Sequence, residues 1–516
     1  MKNILTRLYT FFSKPIIEEL SVFLILSIFI CTPLLVGFIL KTRDVYLAIW
    51  ETLHGLIMCY VGVLLLTLIP IRFRTIFRTL LCVMGFLDFM VECSCWITIG
   101  WKFHQDIIAI IMESNLSEGR EFISTYLSTT IIFLGILSIG LLFFFYKKQV
   151  LENLGKKISW LLLPFVMFST LFFVVKQSGS WENKFLLKVV SFICYESSPD
   201  LSHYNNDLQV SLNGDIPDNL IVIIGESFSK YHSSLYGYEK NTNPRLGKLL
   251  ADSTLCVFNN VISPHTYTIP CIKSVISAYS SMNSDAPWYE YVSLPQIMSK
   301  AGYKTFWISN QSPAGFSDNV ASCYSKLCDS TIWVGSRVKG VYKTDKDAAI
   351  LDVLDGFTLN NNTNKNFIVI HLMGSHCSYE LRYPKDWEIF SPSNYPTKPE
   401  HQRPIIAAYD NSIVYNDWVV SEVFEKFKNT ETLALYFSDH GLDMFATSDH
   451  YFGYARENDE LSQTISKSIP FIWYYTNLTQ QNFGYEISYI KTIRDNPFNT
   501  ENLIDLLLDV LKIEIK

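Results

Sequence analysis

Residue types that bind metal ions follow three apolar, β-rich runs in the second half of this 516-residue chain. In an open α/β sheet, functional groups collect beyond the carboxyl ends of the strands. Each residue taken alone would fit a turn, a surface loop or a helix N-terminus. Because all of them follow a strand, we predict that they meet at one rim of a sheet and form a metal site. The residues are Glu226, His376, Asp439 and His440.

A threonine-containing turn offers a nucleophile for such a site. Thr266 and Thr268 come just before an expected helix that carries Pro270 in its first turn. The free N–H groups and the positive dipole end at a helix N-terminus favour a phosphate. A threonine hydroxyl is a weak nucleophile at neutral pH, but a divalent cation lowers its pKa. Either threonine could therefore attack a substrate, cap the helix, or do both.

The elements that must position these residues alternate between strands and helices after about residue 218. Such alternation predicts a mostly parallel sheet with helices on both faces. A helical pattern over 407–428 is one of the expected covering helices. The expected strands are 219–224, 303–308, 367–372, 433–437 and 469–475.

The first 177 residues differ, because they contain five apolar segments close to the roughly 20 residues needed to cross a bilayer. Buried core helices are the alternative, but several segments are too long and too free of charge. Basic residues concentrate before the first segment and after the second and fourth, which places those loops in the cytoplasm and the C-terminal part outside it. The segments are Leu20–Leu40, Ile49–Ile71, Ile76–Gly100, Phe122–Tyr146 and Ile158–Val175.

We therefore predict a five-helix transmembrane domain at 1–177, a linker with an amphipathic segment at 178–217, and an exported α/β domain at 218–516. The net charge of −7 and the absence of a long basic run argue against nucleic acid as a partner. Export places the cysteines of the third region in an oxidising compartment. Cys323 and Cys328 are the best candidate disulfide, and Cys256 with Cys271 is a weaker one.

Several motifs resemble the phosphoethanolamine transferases of Gram-negative envelopes, and the resemblance covers nearly the whole chain. It implies five membrane helices in the inner membrane and a periplasmic domain of the alkaline phosphatase and sulfatase superfamily. The family includes the lipid A-modifying enzymes that cause polymyxin resistance. The motifs are IVIIGESFSKYHSSLYGYEKNTNPRL (221–246), SPHTYTIPC (263–271), HLMGSH (371–376), YDNSIVYNDW (409–418) and FSDHG (437–441) followed by His450.

The resemblance also implies roles for individual residues. Thr266 would be the nucleophile that becomes phosphorylated, and His376 and His450 would face the substrate or a second metal. Asn115 and Glu118, in a loop similar to the family's Thr-Asn-x-x-Glu-Ala loop, would hold the donor headgroup. The ligand types suit Zn²⁺, with Mn²⁺ as a second candidate. The implied zinc ligands are Glu226, Thr266, Asp439 and His440.

Two features depart from the family pattern. The nucleophilic threonine of better-known members stands five residues before the proline, a position that His265 occupies here. Thr266 is the predicted nucleophile, because Thr268 matches the family's serine two residues before that proline. After the strand 303–308, Ser-Asn-Gln replaces the Lys-Gly pair of lipid A-modifying members and resembles members that act on core sugars. Asn310 is accordingly predicted to bind substrate.

The implied reaction transfers phosphoethanolamine from phosphatidylethanolamine through a phosphothreonine to an envelope acceptor, with lipid A or a lipopolysaccharide core sugar preferred over a periplasmic glucan or a surface protein. A glycerol-phosphate transferase or a sulfatase-like hydrolase of the same superfamily is the enzymatic alternative. Asp88 and Glu92, one turn apart in the third apolar segment, would also suit a transporter. A transporter, however, would not need metal ligands at three strand ends of an exported domain.

Overall fold

The structure is a computed structural model, and its residues fall into two compact units, one formed by 1–108 with 126–195 and the other by 109–125 with 196–516. Each unit is described by itself. The residues that the structure describes are 2–39, 45–98, 103, 119–121, 129–146, 200–205, 207–280, 282, 284–313, 319–338, 341–343, 346–360, 365–449, 451, 453, 455–456 and 459–515.

The first unit is helical in its described part. Three of its helices contain stretches long and apolar enough to cross a membrane, at Leu20–Ile39, Glu51–Leu68 and Ile71–Thr98. The fourth predicted span is represented by a helix with a shorter apolar stretch, Thr130–Gly140. Of the five predicted spans, three are thus found among the described residues, and Ile158–Val175 lies outside them, as does most of the predicted linker. The helices are α1 Lys2–Glu18, α2 Leu20–Ile39, α3 Val45–Leu68, α4 Ile71–Thr98 and α5 Thr129–Tyr146.

The second unit alternates strands with helices, as the sequence predicts. Its strands are β1 Val210–Leu212, β2 Asn219–Gly225, β3 Leu255–Val257, β4 Val261–Ile262, β5 Lys304–Ser309, β6 Ser330–Trp333, β7 Ser336–Val338, β8 Val341–Lys343, β9 Asn366–His371, β10 Thr432–Ser438, β11 Phe471–Tyr475, β12 Phe498–Asn499 and β13 Ile513–Ile515. Its helices are α6 Pro244–Ala251, α7 Thr268–Ile276, α8 Leu294–Lys300, α9 Val320–Ser325, α10 Ala349–Asn360, α11 Arg403–Phe427, α12 Glu460–Lys467, α13 Asn477–Asn482, α14 Gly484–Ile493 and α15 Leu503–Leu511.

Seven strands form the main sheet in the order β3-β11-β10-β2-β9-β5-β6. The five strands from β10 to β6 are parallel, but β11 runs antiparallel to both of its neighbours, so the sheet is mixed. The prediction of a mostly parallel sheet is therefore wrong for 471–475. The physical reason is the path of the chain after β10: Gly441 N donates to Ser466 O at the carboxyl end of the sheet. The chain consequently re-enters the sheet from the end at which it left.

The central strands are buried on both faces, which explains their continuous apolar sequences. Along β2, Leu220, Val222 and Ile224 pack into the core cluster that includes residues of α7 and α15. Ile221 and Ile223 pack into the opposite cluster, which includes residues of α11. This double burial fixes the strand register, and with it the position at which each strand delivers its first polar side chain.

The predicted disulfides are not formed in the structure, because Cys323, Cys328, Cys256 and Cys271 are all present as thiols. Cys323 is a buried residue of α9, whereas Cys328 follows the end of that helix and its thiol lies beside the Thr305 hydroxyl. Cys271 donates a long hydrogen bond of 3.3 Å from Sγ to the His265 carbonyl. Each thiol is accommodated by its local packing.

Candidate metal centre

Three ligand side chains meet at the carboxyl ends of the adjacent strands β2 and β10. Register places Gly225 opposite Ser438, so the residues that follow, Glu226 and Asp439, emerge side by side. One ligand atom each from Glu226, Asp439 and His440 lies within 4.8 Å of the others, and all three residues are buried. His440 Nε2 is 3.4 Å from Glu226 Oε1 and 3.6 Å from Asp439 Oδ2. The structure thus brings together three of the sequence-predicted ligands.

Hydrogen bonds orient these ligands toward a common point. Asp439 Oδ1 accepts from the backbone N–H groups of Ser227 and His440 at 3.0 and 2.7 Å. Asp439 Oδ2 is buried and has no hydrogen-bond partner within the part of the chain that the structure describes. The 2.8 Å contact from His440 Nδ1 to the Gly441 carbonyl fits an Nδ1–H donor, so Nε2 faces the carboxylates and would bind a cation when the ring is neutral. These atoms are available to a cation.

The electrostatics of the cluster also fit a cation. Burial and the neighbouring Glu226 carboxylate raise the pKa of Asp439. Burial opposes ionisation of Glu226, but His440 and His376 outweigh it and lower its pKa. Two carboxylates buried this close together need a positive partner. A divalent ion bound by Glu226, Asp439 and His440 would supply that charge, and the donor set of carboxylates and imidazole suits zinc.

The threonine that reaches this cluster is Thr268. As the first residue of α7, it donates from Oγ1 to Glu226 Oε2 at 3.0 Å, and the same oxygen lies 3.5 Å from His440 Nε2. Thr266 is buried and, among the described residues, makes no hydrogen bond to the three ligands. The geometry therefore favours Thr268, the alternative that the residues themselves left open, over Thr266 as the candidate nucleophile. The residue at which α7 begins decides which threonine reaches the cluster, and the spacing to Pro270 does not determine that residue.

Two further polar side chains contact Glu226. Ser227 Oγ donates to Oε1 at 2.6 Å, and Gln311 Nε2 donates to Oε2 at 3.3 Å and to the Leu372 carbonyl at 3.0 Å. Sequence reasoning did not assign either residue to the site. For Ser227 the signal was its position in the Gly-Glu-Ser motif; for Gln311 it was its position three residues after the predicted strand 303–308.

His376 lies on the loop that follows β9, close to the cluster but outside the group of three converging ligands among the described residues. Its ring Nδ1 is 3.5 Å from Cys377 Sγ. Burial alone would lower the pKa of His376, but its interactions with the Cys377 side chain and the Glu226 carboxylate outweigh it and raise the pKa to about 10. His376 is therefore a cationic group beside the cluster at neutral pH.

Gly374 allows this loop to approach β2 closely. Its φ is +50°, and a Cβ added at this position would lie 2.8 Å from both the backbone N and O of Glu226. Ser375 N donates to the Glu226 carbonyl at 2.9 Å. A residue with a side chain would force the loop away from the cluster.

Asn310, predicted to bind substrate, is fully buried behind the site. Its Nδ2 donates to Asp347 Oδ1 at 2.8 Å and its backbone N donates to the His371 carbonyl at 3.0 Å. Asp347 was missed by sequence reasoning, since nothing in its surroundings along the chain marks it. The predicted residues Asn115, Glu118 and His450 lie outside the described residues.

A family model described as Sulfatase matches residues 218–513 of the chain. The chain belongs to the sulfatase family. Its resemblance to phosphoethanolamine transferases is confirmed by relatives of that name. Phosphoethanolamine transferase EptC of Escherichia coli O18:K1:H7 (strain RS218 / NMEC) is 27% identical over 395 residues, which cover 69% of this chain and 67% of the relative.

Solved structures agree with this sulfatase-family assignment. The C-terminal periplasmic domain of EptC from Escherichia coli, in complex with Zn, has a TM-score of 0.52 and 28% identity, and the match covers 60% of this chain and 86% of that one. The integral membrane protein lipooligosaccharide phosphoethanolamine transferase A (EptA) from Neisseria meningitidis has a TM-score of 0.66 over 96% of both chains. At 16% identity, this second match is evidence for the fold alone.

Proposed function

We propose that this sulfatase-family protein transfers phosphoethanolamine from phosphatidylethanolamine to an acceptor in a Gram-negative envelope. The observation that carries the proposal is the Thr268 hydroxyl, held 3.0 Å from Glu226 at the N-terminus of α7 and beside Asp439 and His440. A hydroxyl, an anion-binding helix end and a metal-ligand set together suit transfer of a phosphoryl group. The names of the relatives support phosphoethanolamine as the group transferred.

Zinc is the cofactor that we propose. Glu226, Asp439, His440 and the Thr268 hydroxyl would hold it, and the zinc-containing EptC domain supports this choice over manganese. Bound zinc would lower the pKa of the hydroxyl and neutralise charge on the phosphoryl oxygens. The proposed roles of the protein residues follow from this arrangement.

In the first step, Thr268 Oγ1 attacks phosphorus and the bond from phosphorus to the diacylglycerol oxygen breaks. Glu226 Oε2 accepts the hydrogen bond that orients the hydroxyl, and the hydroxyl proton passes to solvent. His376, cationic at neutral pH, donates a proton to the departing oxygen. In the second step, an acceptor hydroxyl gives its proton to His376 and attacks phosphorus. The bond to Thr268 Oγ1 then breaks, and its oxygen recovers a proton from solvent.

The apolar N-terminal helices support a membrane location, which suits a lipid donor. We propose a transmembrane domain at 1–177, a linker at 178–217 and a periplasmic catalytic domain at 218–516, with the enzyme in the inner membrane. Asn115, Glu118 and His450 are retained as proposed contacts to the donor or the transferred group. Lipid A or a lipopolysaccharide core sugar is the proposed acceptor.

Mass spectrometry of the trapped enzyme tests this function. The full-length protein is incubated with phosphatidylethanolamine vesicles without acceptor, quenched in acid and digested. We expect the mass of phosphoethanolamine on Thr268, together with release of diacylglycerol. Glycerol phosphate on the same residue after incubation with phosphatidylglycerol, or sulfate after incubation with a sulfate ester, would favour the other activities of the superfamily. An unmodified Thr268, or a modified Thr266, would contradict the proposal.

A further inference from the structure

Asp347 collects hydrogen bonds from two loops that leave the sheet at the site. The residue is 3% exposed, and its Oδ1 accepts from Asn310 Nδ2 and from the backbone N of Met373, both at 2.8 Å. Its Oδ2 accepts from the backbone N of Gly374 at 2.8 Å. Asn310 follows β5, whereas Met373 and Gly374 follow β9. One carboxylate therefore ties together the carboxyl ends of two neighbouring strands.

Each of these loops leads directly to a side chain beside the cluster. Gln311, the residue after Asn310, donates to Glu226 Oε2 at 3.3 Å. His376 lies two residues after Gly374, which itself backs onto the Glu226 main chain. A shift in the position of the Asp347 carboxylate would therefore be transmitted to both side chains over one or two residues.

We propose that Asp347 is a positioning residue, which sets His376 and Gln311 against the metal cluster without touching the substrate. A carboxylate suits this task because it only accepts hydrogen bonds, and three donors face it here. An amide at the same position would direct its own N–H₂ group toward at least one of these donors and leave it unsatisfied. The role of His376 rests on the phosphoethanolamine transfer proposed above.

The first test compares Asp347→Asn with Asp417→Asn in the full-length protein. Asp417 is a matched control: it is also a buried carboxylate that accepts backbone N–H groups, at 2.9 Å from Arg245 and 3.1 Å from Leu246, but it binds the start of α6. We expect Asp347→Asn to slow diacylglycerol release from phosphatidylethanolamine vesicles by about 10- to 100-fold. Asp417→Asn should leave the rate within about twofold. Equal rates in the two variants would overturn the proposal.

A double-mutant cycle separates positioning from a general loss of structure. In a His376→Ala background, Asp347→Asn should cost at most about threefold, because the group that it positions is already missing. If Asp347→Asn still slowed diacylglycerol release by about 10- to 100-fold in the His376→Ala background, Asp347 would not act through His376. If Asp347→Asn yields no folded protein, Asn310→Ala removes one of the three hydrogen bonds and enters the same cycle with the same expectation.

Hydrogen exchange tests the positioning independently of the reaction. In Asp347→Asn, the backbone amides of Met373 and Gly374 should exchange at least about tenfold faster than in the unmodified protein, and Asp417→Asn should leave them unchanged. Unchanged exchange in Asp347→Asn would overturn the positioning role even in an active enzyme. If the unmodified protein releases no diacylglycerol, the transfer function fails, while the exchange result still decides whether Asp347 holds the loop.

Discussion

The two ends of the same parallel strands solve the problem of buried polar groups differently. At the amino ends, Asn219, Asn366 and Thr432 are buried but neutral, and they bind one another. Asn219 Nδ2 donates to Thr432 Oγ1 at 3.2 Å, and Asn366 Nδ2 donates to Asn219 Oδ1 at 3.0 Å. At the carboxyl ends, Glu226 and Asp439 carry carboxyl groups that can ionise. Asp439 Oδ2 has no hydrogen-bond partner in the described part of the protein.

This difference separates stability from chemistry within one sheet. A neutral network whose members hydrogen-bond to one another stabilises a unique register at little electrostatic cost. A cluster of two buried carboxylates destabilises the fold until a cation binds, and it is tolerated because it can hold that cation. The carboxyl ends should therefore respond to substitution mainly in activity, and the amino ends mainly in stability.

The largest expected effect is at the nucleophile. Thr268→Ala should reduce diacylglycerol release from phosphatidylethanolamine by at least about 1,000-fold, because no other hydroxyl would occupy the attacking position. Thr266→Ala is the matched control and should cost less than about tenfold. Both proteins should unfold at similar temperatures by circular dichroism. If Thr268→Ala kept the parental rate and Thr266→Ala were inactive, Thr266 would be the nucleophile instead.

Removing a ligand should separate metal affinity from stability. Asp439→Asn should weaken zinc binding at least about 100-fold by competition with a chelator, because a charged ligand is lost. The zinc-free variant should nevertheless be more stable than the zinc-free parent by about 1–3 kcal/mol, since the repulsion with Glu226 disappears. Denaturant unfolding with and without chelator measures both states. A less stable zinc-free variant would show that the two ends of the strands do not differ as described.

The amino end should show the opposite pattern. Asn219→Ala removes donors to Thr432 and Thr430 and the acceptor for Asn366, so it should lower the free energy of unfolding by about 1–3 kcal/mol. Its rate of phosphoethanolamine transfer, measured at a temperature where it is folded, should stay within about twofold of the parent. A large loss of rate at full zinc occupancy would argue that the two ends are coupled.

Asp417, which binds the start of α6, provides the smallest effect, through pH. Burial raises its pKa to about 7, against the hydrogen bonds from Arg245 and Leu246. As pH rises from the ordinary carboxyl range near 4 toward 7, the unfolded chain loses this proton while the folded chain keeps it, so stability falls. Asp417→Asn should remove about 1 kcal/mol of that fall, measured by urea unfolding between pH 5 and 7. An unchanged pH dependence would mean that Asp417 is ionised throughout.

The strand ends could be predicted from sequence because each ligand directly follows an apolar run. Glu226, Asp439 and His440 were found in this way, and burial of both sheet faces explains why the runs were so clear. The choice between Thr266 and Thr268 depended on the residue at which α7 begins, and side-chain capping signals allowed both. The contacts of Asp347 join segments that are far apart in sequence, so no local pattern could reveal them.

The direction of β11 could not be predicted from sequence for a related reason. Its apolar sequence predicts that the strand is buried, but its direction depends on the path of residues 439–468. The hydrogen bond from Gly441 to Ser466 shows that this stretch stays near the rim of the site. The path of this connection sets the direction of β11, whereas its apolar pattern would be the same in a parallel and in an antiparallel strand.

The contact between Gly374 and the main chain of Glu226 limits how the enzyme could be re-engineered. A Cβ there would lie 2.8 Å from two backbone atoms that cannot rotate away, unlike the tip of a flexible side chain. A library that randomises this rim to accept new substrates should return only glycine at that position among active clones. Diversity for altered specificity must then come from residues beyond the loop's first turn.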